Sequence, residues 1–316
     1  MPSNLRIVFM GTPDFAVASL DALVKAGFQI VGVVTAPDKP AGRGMKLTES
    51  AVKKYAVTQN LHILQPEKLK APAFIEELRN LKADLQIVVA FRMLPEIVWD
   101  MPPMGTVNLH GSLLPEYRGA APIHWAVING EKTTGVTTFK LKHEIDTGDI
   151  LLQKSFPIGE DETTGEVHDR MKLIGAELLV ETVKGLAANN IQKIDQSSVI
   201  THAAALHHAP KIFTDTCRIN WHNTADKIHN QIRGLSPFPG AFTEIEGKTL
   251  KIFRSKKEKQ QHQQSPGAIL SDHKTYLKFA CKDGYIHVTD IQLEGKKRMQ
   301  VADFLRGYQW SGNGES

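Results

Sequence analysis

Residues 105–150 read GTVNLHGSLLPEYRGAAPIHWAVINGEKTTGVTTFKLKHEIDTGDI, and they place three polar side chains among apolar runs. Val107 and Leu109 alternate with Asn108 and His110, which is the two-residue period of a β-strand. The alternation predicts that the Asn108 amide and the His110 imidazole lie on the same face of that strand. A glycine and a serine follow and turn the chain toward a predicted helix. A polar pair at the carboxyl end of a strand lies where open α/β sheets bind ligands.

A carboxylate follows a second predicted strand. The run TGVTTFKLKHEID (134–146) ends in Asp146, and Thr147–Gly148 predict a turn that fixes its side chain. An amide, an imidazole and a carboxylate suit acyl-type transfer. The first two can face a carbonyl oxygen that becomes negative, while the carboxylate orients or protonates its neighbours. Taken alone, the same residues also fit a buried structural histidine and an aspartate that only forms a turn.

The N-terminal part predicts an α/β domain. LRIVFM (5–10) is nearly continuously apolar, as is typical of a strand buried on both faces of a parallel sheet. Thr12 is predicted to cap the following helix and Pro13 to be its first residue. Further predicted strands, with helices between them, are IVGVV (30–34), LHIL (61–64) and DLQIVVAF (84–91). The alternation predicts a mostly parallel, Rossmann-like sheet. Because G-x-G-x-x-G is missing, no dinucleotide is predicted.

The segment APDKPAGRGMKL (36–47) is predicted to be a long cationic loop, with charges from Lys39, Arg43 and Lys46. A loop of this length between a strand and a helix is uncommon unless it is functional. Basic loops beside an active site suit phosphate backbones, whose binding is largely electrostatic. A solvated linker without a ligand is the alternative.

The C-terminal part has a different character. Residues 187–210 are polar and irregular, and a predicted helix then ends at Gly234 before several short runs typical of strands in a small β-barrel. From Ala205 onward the chain carries 17 Lys+Arg against 11 Asp+Glu, whereas the remainder has a net charge of −2. The surplus of positive charge fits either an anionic macromolecular partner or a solvated basic face. The basic residues of this part include Lys248, Lys251 and Arg254.

Composition narrows the class of protein further. With 316 residues, 41% hydrophobic and 23% charged, the chain fits a soluble protein of one large or two ordinary domains. Two cysteines without metal-ligand spacing suggest free thiols in a reducing compartment. No apolar run approaches a membrane span, and the N-terminus lacks a signal-peptide pattern, so we expect a cytoplasmic protein. His202, His207 and His208 lack the accompanying ligands of a metal site, so no metal is predicted.

Three motifs together resemble the signature of the folate-dependent formyltransferases. They are Asn108-x-His110-x-Ser112-Leu-Leu-Pro115, Arg118-Gly-Ala-Ala-Pro122-Ile and Ile145-Asp146-Thr-Gly-Asp149-Ile. The similarity runs nearly end to end, from LRIVFMGTPDF (5–15) to SPFPG (236–240). Long motifs over most of the chain are far more specific than an isolated Asn-x-His.

The resemblance implies an N-terminal Rossmann-like catalytic domain over 1–188, a linker over 189–209 and a C-terminal OB-like β-barrel over 210–316. It implies transfer of the formyl group of 10-formyltetrahydrofolate to the α-amino group of initiator methionyl-tRNA. Nothing in the sequence demands more than a monomer. Asn108 and His110 would hold the oxyanion. Asp146 would stabilise the imidazolium by opposite charge and accept or relay the amine proton.

The resemblance also implies the binding residues. The folate would contact Asp146 and two segments, Phe91, Arg92 and Met93 with Ser112, Leu113, Leu114 and Pro115. The first segment is one residue shorter than the family usually has, with Arg92 near the usual glycine, so which of its residues faces the pteridine stays open. The tRNA would contact Lys39, Arg43 and Lys46 in the loop and Lys248, Lys251 and Arg254 in the barrel.

Two alternative functions remain. A sugar-amine formyltransferase or a 10-formyltetrahydrofolate hydrolase would use the same three catalytic residues. Neither acceptor, a sugar or water, has a use for the cationic loop and the basic barrel. A tRNA-binding module with a damaged site is a third possibility, but Asn108, His110 and Asp146 are all present.

Overall fold

A computed structural model describes residues 4–41, 46–200 and 206–308. The chain divides into two compact units. Unit 1 comprises Met1–Gly119, Gly135–Phe156 and His168–His208, and unit 2 comprises Ala120–Thr134, Pro157–Val167 and Ala209–Ser316. Most of the predicted linker, residues 189–208, therefore belongs to unit 1. The limits 1–188 and 210–316 for the catalytic and tRNA-binding domains remain predictions.

The strands and helices alternate through the first half of the chain. The strands up to residue 157 are β1 (Arg6–Gly11), β2 (Gln29–Val34), β3 (Lys39–Ala41), β4 (Lys46–Thr48), β5 (Ile63–Leu64), β6 (Leu85–Val89), β7 (Thr106–His110), β8 (Arg118–Gly119), β9 (Thr133–Lys140) and β10 (Ile150–Pro157). The helices up to residue 199 are α1 (Asp14–Lys25), α2 (Ala51–Thr58), α3 (Pro72–Asn80), α4 (Glu96–Trp99), α5 (Pro122–Ile128), α6 (Thr164–Ala187) and α7 (Gln196–Val199).

Unit 1 is organised around a sheet in the order β10-β9-β7-β6-β1-β2-β5. Strands β5, β2, β1, β6 and β7 pair in parallel, and β9 runs antiparallel to β7. The prediction of a mostly parallel sheet is therefore confirmed. All five residues of β6 are buried, and in β1 only Arg6 is partly exposed. Because the apolar runs fix these strands at the centre, the carboxyl ends of β1, β6 and β7 meet at one edge of the sheet.

Two local predictions in unit 1 were wrong. Helix α1 begins at Asp14 and Pro13 occupies its N-cap position, so Thr12 does not cap the helix. The Thr12 carbonyl instead accepts a hydrogen bond from the Val52 amide at 3.4 Å, which ties this turn to α2. The predicted loop 36–47 contains the short antiparallel pair β3 and β4, with Lys39 opposite Thr48.

Unit 2 contains an antiparallel sheet that curls into a half-barrel, as expected for an OB-like domain. Its remaining elements are β11 (His208–Ala209), α8 (Thr214–Cys217), α9 (Ala225–Gly234), β12 (Ala241–Ile245), β13 (Lys248–Lys259), β14 (Ile269–Ser271), β15 (Leu277–Cys281), β16 (Gly284–Leu293), β17 (Met299–Gln300) and α10 (Val301–Gly307). The order is β12-β13-β16-β15-β14, with β17 against β16. Helix α9, capped by the Thr224 side chain, packs its buried face, which includes Ile228 and Ile232, into the core of this unit.

A half-buried lysine ends β9. The Lys140 ammonium donates to the Met104 carbonyl. Its pKa is lowered from 10.5 to about 8, chiefly because burial penalises the charge and secondarily because Lys193 is also cationic. The protonated side chain therefore costs stability in the folded state. That cost is fully present below pH 8 and disappears as the pH rises through 10.5.

Replacing Lys140 by methionine should consequently raise the stability at pH 7 relative to pH 10. About 1.4 kcal/mol per pKa unit sets an upper bound, and partial exposure reduces the expected change to on the order of 1–2 kcal/mol. Urea unfolding of both proteins at the two pH values measures it. Lys142→Met is a matched control, because pairing with Asp149 raises the pKa of the Lys142 ammonium. An equal Lys140→Met effect at both pH values would contradict the assignment.

The described helices include none that is both long and apolar enough to span a membrane.

Candidate active site

Strand β7 positions two of the three predicted catalytic side chains. It pairs in parallel with β6 and antiparallel with β9, where Asn108 lies opposite Phe139 and His110 opposite Thr137. Being two residues apart on one strand, Asn108 and His110 project to the same face. Asn108 is half-buried, and within the described part of the chain its side-chain amide makes no hydrogen bond. The amide is therefore available to a ligand at the carboxyl end of the strand.

His110 is held by contacts that define the roles of its nitrogens. The side chain is 7% exposed, and its ring packs edge-on against Phe139 with centroids 6.4 Å apart. Nε2 lies 2.9 Å from the Tyr117 carbonyl oxygen. Because a carbonyl only accepts, Nε2 carries a proton and donates it. Nδ1 therefore points elsewhere, toward the Asp146 carboxylate 3.9 Å away.

Asp146 lies in a tight turn rather than in a strand. Strand β9 ends at Lys140, and the Lys140 amide donates to the Asp149 carbonyl at 3.0 Å, which closes the loop between β9 and β10. A Cβ on Gly148 would lie 1.6 Å from the Lys140 carbonyl oxygen, so only glycine fits there. The Asp146 carboxylate accepts the Gly119 amide at 3.0 Å and faces His110. The structure thus brings the predicted imidazole and carboxylate together.

A fourth polar residue contacts this turn, and sequence reasoning missed it. Gln196, at the start of α7, is 1% exposed. Its amide nitrogen donates to the Asp146 and Gly148 carbonyls, and its oxygen accepts from the Arg118 guanidinium. Arg118 belongs to one of the quoted motifs, but Gln196 was assigned to the linker and given no role.

The predicted folate segment after β6 lies at the same edge of the sheet. Phe91 is half-buried, Met93 is 75% exposed, and the Arg92 guanidinium donates to the Pro66 and Glu67 carbonyls. Phe91 and Arg92 help to line a cleft of about 480 Å³. The other lining residues are Thr12, Ala36, Pro37, Asp38, Lys39 and Glu67. This volume lies within the roughly 300–1,000 Å³ of ordinary ligand pockets.

The second predicted folate segment follows His110. Ser112 is fully buried, and its hydroxyl donates to the Glu116 carbonyl at 2.6 Å. Leu114 is buried, and its amide donates to the Thr137 hydroxyl at 3.0 Å. Leu113 and Pro115 are half-buried. Folate contacts through this segment remain a prediction.

The cationic residues predicted to bind tRNA lie in both units. In unit 1, Lys39 is exposed, whereas Arg43 and the side chain of Lys46 lie outside the described residues. In unit 2, Lys248 is exposed, Lys251 donates to the Pro239 carbonyl at 3.0 Å, and Arg254 pairs with Glu166 at 2.6 Å.

The histidines considered for a metal have other surroundings. His207 bonds to the Glu116 carboxylate at 3.1 Å and stacks on Tyr117. His202 lies outside the described residues, and His208 is exposed. Across residues 4–41, 46–200 and 206–308, no three His, Cys, Asp or Glu side chains form a group able to hold a metal ion.

Comparison with known families matches both halves of the chain. A profile described as "Formyl transferase" matches residues 5–183, and one described as "Formyl transferase, C-terminal domain" matches residues 211–309. The methionyl-tRNA formyltransferase of Phocaeicola vulgatus is 56% identical over 316 residues, which cover 98% of this chain and 98% of that protein. That of Parabacteroides distasonis is 55% identical over 312 residues, which are 97% of this chain and 96% of that protein.

Solved structures share the fold at lower identity. An N-formyltransferase from Helicobacter canadensis, in complex with folinic acid and dTDP-3-aminofucose, has a TM-score of 0.68 at 20% identity, covering 93% of this chain and 100% of its own. HypX from Aquifex aeolicus, in complex with tetrahydrofolic acid, has a TM-score of 0.64 at 19% identity, covering 96% of this chain and 47% of its own.

Proposed function

The chain belongs to the formyl transferase family, and from this premise we propose that it transfers the formyl group of 10-formyltetrahydrofolate to the α-amino group of initiator methionyl-tRNA. The observation that carries the proposal is that the His110 imidazole faces the Asp146 carboxylate, on the strand that also carries the half-buried Asn108 amide, which makes no hydrogen bond to the described residues. It is supported by the more than 50% identity to methionyl-tRNA formyltransferases over nearly the whole chain.

In the proposed reaction, both the formyl donor and the aminoacyl-tRNA are substrates. The amine nitrogen bonds to the formyl carbon, the bond from that carbon to the donor nitrogen breaks, and one proton passes from the amine to the leaving nitrogen. The carbonyl oxygen becomes negative in between, and Asn108 together with a proton on His110 Nδ1 stabilises it. Asp146, on the Nδ1 side of the imidazole, orients the ring and relays the amine proton.

We also propose a division of labour between the two parts of the chain. The predicted catalytic domain, residues 1–188, binds the folate and the reacting amine. The predicted OB-like domain, residues 210–316, holds the tRNA through Lys248, Lys251 and Arg254, and Lys39 and Arg43 hold its acceptor end. Cations suit this task because neutralised phosphates release bound counterions.

Parallel reactions with different acceptors test the function. Three reactions contain 10-formyltetrahydrofolate and one acceptor each: initiator methionyl-tRNA, elongator methionyl-tRNA or an amino-sugar nucleotide. A fourth reaction contains 10-formyltetrahydrofolate and no acceptor. Transfer to the initiator tRNA alone is expected. Formylation of the sugar, or hydrolysis of the folate without an acceptor, would be consistent with the assigned catalytic residues but would overturn the proposed acceptor.

Lys248→Ala should weaken tRNA binding without changing the chemical step. Loss of one phosphate contact should lower the slope of log K against log salt by about one and raise Kd at low salt. Filter binding across a salt series measures both quantities. Arg79→Ala, which removes an exposed cation from α3, is the control and should leave the slope unchanged. An unchanged slope in Lys248→Ala would remove Lys248 from the tRNA site.

A further inference from the structure

The turn that carries Asp146 has an unfavourable backbone. Asp146 has φ +55°, in the left-handed region that is uncommon for a non-glycine residue, although aspartate tolerates it better than most. Its neighbour Gly148 contacts the Lys140 carbonyl so closely that no side chain fits. A strained turn of this kind keeps one geometry only when surrounding contacts fix it.

Gln196 supplies such contacts. Its Nε2 donates to the Asp146 carbonyl at 2.8 Å and to the Gly148 carbonyl at 2.7 Å, so both amide protons bind the turn. Its Oε1 accepts from Arg118 Nε at 3.1 Å and Nη2 at 2.6 Å. Carbonyls cannot donate and guanidinium cannot accept, so this amide orientation is the one that satisfies every partner. The side chain is buried, which makes the loss of any of these bonds expensive.

Gln196 is itself held in place from both sides. Ile194, two residues earlier, exchanges two backbone hydrogen bonds with Ile150 at 2.8 and 2.9 Å, which fixes the segment to the start of β10. Arg118 precedes Gly119, whose amide donates to the Asp146 carboxylate. The same short strand, β8, therefore holds the Asp146 side chain directly and the Asp146 main chain through Gln196.

We propose that Gln196 is a positioning residue for formyl transfer, fixing the Asp146 turn so that the carboxylate faces His110 Nδ1. This role rests on the proposed function of Asp146. Among the described residues, the Gln196 side chain bonds only to backbone carbonyls and the Arg118 guanidinium, so we expect it to act on catalysis through Asp146. A misplacement of about 1 Å in a reacting constellation can cost roughly 10²-fold in rate.

The test uses Gln196→Glu, with Gln196→Ala beside it. Glutamate keeps the shape and can accept from Arg118, but it has no N–H for the Asp146 and Gly148 carbonyls. We expect kcat to fall roughly 10- to 100-fold, with KM for the tRNA unchanged within about threefold, because the cations proposed to bind the tRNA stay in place. Thermal unfolding confirms that each variant is folded. If Gln196→Ala does not fold, Gln196→Glu decides.

Gln231 offers a matched control. Its amide nitrogen also bridges two backbone carbonyls, those of Thr216 at 2.8 Å and Arg218 at 3.1 Å, but within unit 2. Gln231→Glu loses the same kind of bridge and should keep the wild-type kcat.

A double-mutant cycle separates positioning from general stabilisation. In an Asp146→Asn background, Gln196→Glu should lower kcat little further, because its effect passes through the carboxylate that is already missing. A wild-type kcat in Gln196→Glu, or a full additional loss in the Asp146→Asn background, would overturn the positioning role. Absence of formyl transfer by the wild-type chain would instead overturn the proposed function.

Discussion

Replacing His110 by alanine should lower kcat for formyl transfer about 10²–10³-fold, the usual loss when one donor to an oxyanion is removed. Asn108→Ala should have an effect of the same size for the same reason. KM for the tRNA should change little, because neither side chain belongs to the proposed tRNA-binding cations. Single-turnover rates with saturating substrates measure the chemical step.

The controls follow from the environment of each residue. His110 is buried and donates to the Tyr117 carbonyl, so His110→Asn is tested beside His110→Ala to keep a polar side chain at that position. Asn108 is half-buried and unbonded within the described residues, so Asn108→Ala should unfold at nearly the wild-type temperature. Near-normal turnover in a folded His110→Ala protein would show that the imidazole does not take part.

Asp146→Asn should lower kcat about 10²–10⁴-fold, the range for loss of a positioned acid–base group. The substitution preserves the shape and leaves an oxygen able to accept the Gly119 amide, which now lies 3.0 Å from the carboxylate. It removes the negative charge beside His110 Nδ1 and the acceptor for the amine proton. Single-turnover rates with saturating substrates measure this loss.

Asp149→Asn is the matched control for this substitution. Asp149 belongs to the same loop, but its carboxylate pairs with Lys142 at 2.7 Å on the solvent side. Asp149→Asn should leave kcat as in the wild type. Equal losses in Asp146→Asn and Asp149→Asn would indicate damage to the loop rather than a catalytic carboxylate.

Local patterns predicted the frame of the site. Continuous apolar runs identified the buried strands β1 and β6, and the alternation over Val107–His110 placed Asn108 and His110 on one face of β7. Both signals are read within one strand, where side-chain direction follows directly from chain position. The Thr147–Gly148 turn was predictable for a similar reason, since glycine there meets a steric demand.

Contacts between distant segments were not predictable from local patterns. Gln196 reaches Asp146 from 50 residues further along the chain, in a polar stretch whose composition resembles a linker. A single buried amide leaves no periodic signal, so nothing in the sequence distinguished it from an exposed one. The Tyr117 carbonyl that fixes the His110 ring belongs to the backbone, and no residue type reports it. The prediction that Thr12 caps α1 was wrong for a related reason. Thr12 makes a long-range contact instead, in which its carbonyl accepts a hydrogen bond from the Val52 amide of α2.

The most direct test of the central claim follows the fate of the formyl group in a single turnover. Wild-type protein, with His110→Ala in parallel, receives labelled 10-formyltetrahydrofolate and charged initiator methionyl-tRNA, and the amino acid is then released from the tRNA by base. The account predicts labelled N-formylmethionine from the wild type and, in the same time, about 10²–10³-fold less from His110→Ala. Label that stays on the folate or appears as free formate, or equal yields from the two proteins, would contradict it.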